Sequence, residues 1–144
     1  MGQLLPALLA NDGLNKFRQA PGVVAALGPQ AERRFWEFFT VTIRNRNTRA
    51  AYARAAAEFC AFLERRGVTS LAAIQPIHVA AYVEALGTTH APATVKQRLA
   101  ALRMLFDWLV VGQVLPVNPA ASVRGPKHVV KRGKTPVLER SDAR

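Results

Sequence analysis

At 144 residues, half of them hydrophobic, the chain has room for one packed domain with tails. Twenty Lys and Arg against nine Asp and Glu give +11 and a pI near 11.3, a balance that favours polyanionic partners, nucleic acid first and anionic lipid second. One cysteine excludes an internal disulfide, no apolar stretch approaches the roughly 18 to 20 residues that span a bilayer, and Met1–Ala10 lacks a basic lead and is interrupted by Pro6, so composition describes a soluble, cytoplasmic chain without membrane segment or secretory signal.

Residues 1–28 mix Gly13, Pro21, Gly22 and Gly28 with short apolar patches that keep no period, which predicts a loosely ordered, flexible lead-in. Four helices are expected after it. The first runs from Pro29, in a tolerated first-turn position, to Ile43, with Phe35, Phe38, Phe39 and Thr42 at helical spacing. The second, Thr48 to Arg66, places Tyr52, Ala55, Ala56, Phe59, Phe62 and Leu63 on one stripe, with Asn47 or Thr48 as cap and Gly67 as stop. On its outer side Ala50, Ala53, Ala57 and Ala61 lie beside Arg54, Glu58 and Arg65. These alanines read either as plain helix formers or as a strip kept small for the approach of another backbone.

The third helix, Pro76 to Leu86, buries Val79, Tyr82, Val83 and Leu86, and Gly87 stops it. The fourth, Pro92 to Val111, turns Val95, Leu99, Leu102, Phe106 and Leu109 inward; Met104 and Trp108 make its far side apolar too, which predicts a central, enclosed helix. Asn118 is placed to cap a short helical turn from Ala120 to Val123. Residues 125–134 then carry four positive charges and no acid, the composition of a solvated basic linker. Residues 29–124 hold twelve basic and six acidic residues, net +6, and the twenty residues from 125 hold six and two, net +4, so charge is densest in the tail. With no convincing strand pattern, the expected fold class is all-α, a compact bundle of about four helices.

Nothing in the sequence assembles a nucleophile, base and oxyanion hole, and there is no glycine-rich phosphate loop. His78, His90 and His128 share no metal-holding spacing, so neither metal nor cofactor nor small-molecule substrate is expected. Arg103 and Asp107 are expected to pair along the fourth helix. The positive signal is basic residues at helix starts. Arg44, Arg46 and Arg49 surround Asn47 and Thr48, and Lys96 and Arg98 follow Thr94 in the first turns of the fourth helix, beside Gln97. Free backbone N–H groups at helix N-termini already favour phosphate, and guanidinium or ammonium groups there complete a charge-assisted clamp.

The stretches NTRAAYARAAAEFCAFLERRGV, PIHVAAYVEAL and APATVKQRLAALRMLFDWLVVGQVLPVNPAASVRGPK, in that order, resemble the core-binding, SAM-like N-terminal domain of tyrosine recombinases of the phage-integrase type, over residues 30–144. The resemblance implies a domain forming half of a C-shaped clamp on duplex DNA, with a separate catalytic domain opposite and other recombinase protomers on the same DNA. It places Asn47, Thr48 and Arg49 on one DNA-facing helix and Thr94, Lys96, Gln97 and Arg98 on another. Lys127, Lys131, Arg132 and Lys134 are expected to contact phosphate from the linker. Ala91, Gln75 and His78 depart from the family's usual capping residues, and the missing cap at Ala91 costs about 1 kcal/mol of helix start.

The expected organisation is a lead-in over 1–28, a helical DNA-binding domain over 29–124, a linker over 125–136, and the opening of a truncated catalytic domain over 137–144. No residue here is assigned catalysis, since Tyr52 and Tyr82 read as core. The competing readings are a free-standing helical regulator or nucleoid-type protein without strand chemistry, and a protein-interaction bundle with a basic tail.

Overall fold

A computed structural model of the protein describes residues 20–127, and all regular structure among them is helical. The elements are α1 (Gly22–Ala25), α2 (Pro29–Glu37), α3 (Arg46–Arg65), α4 (Pro76–Gly87) and α5 (Pro92–Val111). A 3-10 turn, Leu71–Ala73, joins α3 to α4. One continuous core receives all five helices, and α5 packs on α2, α3 and α4, the central place expected for it.

The ordered unit begins earlier than Pro29. Val23 and Val24 on α1 are 0% and 1% exposed, within the main core. A four-residue helix is too short to show a period, so only the partners on α2 and α3 reveal that these valines are buried. The first long helix is also not α-helical to Ile43. After Glu37 it widens into a π-helical turn, Phe38–Thr42. Its terminal carbonyls are capped from α3: Arg49 donates to the carbonyls of Phe39 (2.8 Å) and Ile43 (2.7 Å), satisfying acceptors that a helix end leaves orphaned.

The cap of α3 is Asn45, so the helix opens at Arg46, two residues before the expected start. The extended backbone of Asn45 lets its side chain accept from the Thr48 amide at 3.0 Å. At the other end Gly67 adopts φ +82 and a Schellman pair forms, Val68 N–H to Leu63 carbonyl and Gly67 N–H to Glu64 carbonyl. Gln75 and His78 prove to be a working pair, because His78 Nδ1 accepts from the Gln75 amide at 2.9 Å as a capping-box glutamate would. Ala91 provides no side-chain cap, as expected.

The C-terminus of α5 divides between two residues what a single glycine usually does. The same Schellman pair forms, Val114 N–H to Leu109 carbonyl and Gln113 N–H to Val110 carbonyl, but the left-handed residue is Gln113, at φ 64. Gly112 has ordinary backbone; a Cβ there would lie 2.1 Å from Arg34 Nε. Arg34 fills that space because its guanidinium lies 3.6 Å over the Trp108 ring and donates to the Trp108 carbonyl, while Trp108 Nε1 donates to the Arg34 carbonyl at 2.8 Å. Opposite effects follow for neighbouring positions. Gln113→Gly should raise stability by about 0.5–1 kcal/mol by relieving the left-handed cost, whereas Gly112→Ala should cost about 1–2 kcal/mol by expelling Arg34 from Trp108. Thermal unfolding of the two variants checks this, and shifts of the same sign would contradict it.

Cys60 is enclosed on α3, and burial, with Glu64 adding to it, pushes its thiol up to about 12. Burial pushes the Tyr82 phenol the same way, against the Arg98 guanidinium beside it. A raised folded-state value means stability that is complete below the unfolded value and lost as pH rises towards the folded one. Stability should therefore fall from about pH 9 upward, by roughly 1.4 kcal/mol per pH unit for the thiol alone. Urea midpoints between pH 8 and 10 should show the decline, and Cys60→Ala should flatten it; an equal decline in both proteins would exclude Cys60 as its source.

Candidate nucleic-acid interface

The first turns of α3 and α5 lie side by side. Between them runs a groove of about 360 Å³ lined by Asn47, Ala50, Ala51, Arg54 and Ala55 from α3 and by Thr94, Gln97, Arg98 and Ala101 from α5, with Tyr52 at its edge. Positions 47, 50, 51 and 54 recur at helical spacing, which puts one face of α3 on the groove. Ala55 and Ala101 are buried, so small residues let the helices converge. The alanine strip anticipated from spacing does not form one surface: Ala50 lines the groove, Ala53 is enclosed, and Ala61 is exposed.

Of the anticipated contacts, Arg44, Arg46, Asn47 and Thr48 are exposed at the entry to α3, and Lys96 and Gln97 are exposed on α5 next to half-buried Thr94. Two arginines are differently employed. Arg49 is turned inward onto the Phe39 and Ile43 carbonyls, as the end of α2 requires. Arg98 is only 13% exposed and forms an ion pair with Glu58, one turn beyond Arg54 on the groove-facing side of α3. Its role is to bridge α3 and α5 at the groove, and a carboxylate partner competes with any phosphate for its donors. The Arg103–Asp107 pairing gives way too: Arg103 donates to the Ala120 and Val123 carbonyls, and Asp107 accepts from Asn118.

Two residues were missed. Arg54 is exposed on the groove, and the recurrence from Asn47 through Ala50 to Arg54 was the available signal. Arg124 is exposed on the segment that returns along α5, where Gly125 lies against Leu99 and Lys96; a Cβ at Gly125 would sit 3.5 Å from Lys96 Cγ. Lys127 is exposed two residues further on, so the basic segment leaves the domain beside the start of α5. Lys131, Arg132, Lys134 and His128 lie outside the described residues. Residues 120–123 form a turn, not a helix, in which Asn118 Oδ1 accepts from the Ala120 amide at 2.8 Å.

Tyr82 is core, edge-on to Phe59 and Phe62, while Tyr52 is half-buried, stacked on Phe38 with its hydroxyl donating to Met104 Sδ. Among the described residues no group of three or more His, Cys, Asp or Glu could hold a metal, and no helix is long and apolar enough to cross a membrane.

Two polar helix starts thus converge on one basic-rimmed groove in a domain whose described regular structure is all helical. Residues 33–112 match the family described as phage integrase, N-terminal SAM-like domain, and the chain belongs to that family. It is 34% identical over 70 residues to tyrosine recombinase XerC of Myxococcus xanthus, covering 49% of this chain and 23% of the relative. Against tyrosine recombinase XerC of Chlamydia muridarum it is 40% identical over 45 residues, 31% of this chain and 14% of the relative. The matched stretch thus spans less than a quarter of these curated relatives. No solved structure matches it significantly.

Proposed function

We propose that the chain is the DNA-binding portion of a site-specific tyrosine recombinase. It holds duplex DNA against the α3–α5 groove, together with other protomers, while a separate catalytic domain cuts and rejoins strands through a 3′-phosphotyrosine. The reading is carried by the convergence of Asn47, Arg54, Thr94 and Gln97 on one groove flanked by exposed Arg44, Arg46 and Lys96, in a chain of this family. The uncapped first turn of α5 is open to phosphate oxygens, and the positive charge around it supplies the non-specific part of affinity. Gln97, exposed one turn into a rigid helix, is the residue suited to a base edge, since its amide can both donate and accept. Tyr82 is enclosed in the core and Tyr52 is stacked on Phe38, so strand chemistry is placed in the separate catalytic domain and not on either of them.

A selection from random duplexes, followed by anisotropy titration, tests the reading. Gln97→Ala should weaken the selected duplex by about 1–3 kcal/mol more than a random one, and Lys96→Ala should weaken both equally. Absence of binding to any duplex at low salt would defeat the DNA reading. Equal losses on both duplexes for Gln97→Ala would assign sequence recognition elsewhere.

A further inference from the structure

We infer that Asn118 and Arg103 form a clamp that positions the exit segment, setting the charges of Arg124 and Lys127 beside Lys96 so that segment and groove act on DNA as one surface; the inference rests on the DNA-binding function proposed above. Every polar group of the Asn118 side chain is used: Nδ2 donates to the Arg103 carbonyl at 3.1 Å and to Asp107 Oδ1 at 2.7 Å, and Oδ1 accepts from the Ala120 amide at 2.8 Å. Arg103 reaches across the same strand, with Nε donating to the Ala120 carbonyl at 3.2 Å and the guanidinium end to the Val123 carbonyl. Its donors face the protein's own backbone, which explains a basic residue on α5 away from the groove.

The clamp reverses the chain. Past Val111 it turns, is tied down at Asp107 and Arg103, and runs back along α5 until Gly125 lies on Leu99 and Lys96. From Asp107 to Lys96 is eleven residues of helix, about 16 Å at 1.5 Å per residue. That length exceeds the screening distance of roughly 10 Å at 0.1 M salt. Charges released at the far end of α5 would therefore add little to the potential around Lys96, whereas clamped ones add fully. Arg124 and Lys127 flank Gly125 by one and two residues.

Asn118→Ala is the informative substitution because it removes no charge, so any change in salt dependence must come from charges that have moved. On duplex DNA the variant should bind about five- to tenfold more weakly, with the salt slope reduced by about one to two units. Arg124→Ala with Lys127→Ala should produce a similar loss, and adding Asn118→Ala to that pair should cause no further one. If Asn118→Ala proves too unstable, Arg103→Gln serves as the second clamp variant, read by the disulfide-trapping arm below because it removes a charge itself. A purely structural role predicts additive losses and an unchanged slope, and either result would overturn the clamp. A second arm needs no DNA: Lys96→Cys with Gly125→Cys should form a disulfide readily under mild oxidation, and at least tenfold more slowly when Asn118→Ala is added. Equal trapping rates would also overturn the clamp. If the unaltered chain failed to bind duplex while trapping still depended on Asn118, the DNA reading would fall and the clamp's role in it with it, the geometry alone standing.

Discussion

Duplex DNA bound by this chain at about 50 mM salt should be held roughly 10²–10³-fold more weakly at about 200 mM, the fall expected when four or five phosphates are neutralised and their counterions released. The candidates are Arg44, Arg54, Lys96, Arg124 and Lys127, all exposed, and on the groove or beside it. Arg49 and Arg98 are left out because one is committed to helix carbonyls and the other to Glu58. The prediction therefore extends to single substitutions. Arg54→Ala should reduce the slope of log affinity against log salt by about one unit. Arg98→Ala should weaken binding without reducing that slope, since what it loses is the bridge between α3 and α5. A slope near zero for the unaltered chain would remove the electrostatic basis of the function, and a full unit lost with Arg98→Ala would return that residue to the phosphate contacts.

Phe59→Ala should cost about 3–5 kcal/mol, a large share of the roughly 5–15 kcal/mol that a small domain possesses. The ring is 1% exposed and meets Tyr82 from α4 edge-on at 5.1 Å and Phe106 from α5 at 5.9 Å, so one side chain joins three helices. Truncation removes buried apolar area and both ring contacts, leaving a void that long helices held at both ends cannot easily close. Phe59→Leu, which keeps most of the volume, should cost less than about 2 kcal/mol. Urea unfolding with unchanged m-value is the measure. A loss below about 1 kcal/mol for the alanine variant would show that the three-helix junction repacks freely.

Much of this molecule was legible in its spacing. The stripe from Ala55 to Leu63 and that from Val95 to Leu109 both became core, and α5 spans the residues anticipated for it, because an apolar stripe that recurs every three or four residues can be buried only as a helix face. The same periodicity places Asn47, Ala50 and Arg54 on one side of α3, and the two polar helix starts lie along one groove. The family, too, could be read from the order of local signatures, and the match over residues 33–112 bears it out.

What spacing leaves open is what a long side chain finds across a helix crossing. In sequence Arg49 and Arg98 read as phosphate contacts at helix starts, and Arg103 as the partner of Asp107. The fold gives each a different partner: the end of α2, Glu58 forty positions away, and carbonyls of the returning segment. A guanidinium reaches several ångströms from its own backbone, so its partner depends on how neighbouring helices cross, and no local period encodes that. Gly112 follows the same logic. Its neighbour in sequence takes the left-handed turn, and glycine is needed because Arg34, from a helix more than seventy residues earlier, lies over that end of α5. Sequence determined which faces are buried and which helix starts carry charge; tertiary contact decided which of those charges remain available to a partner, because only packing brings the competing carbonyls and carboxylates within reach.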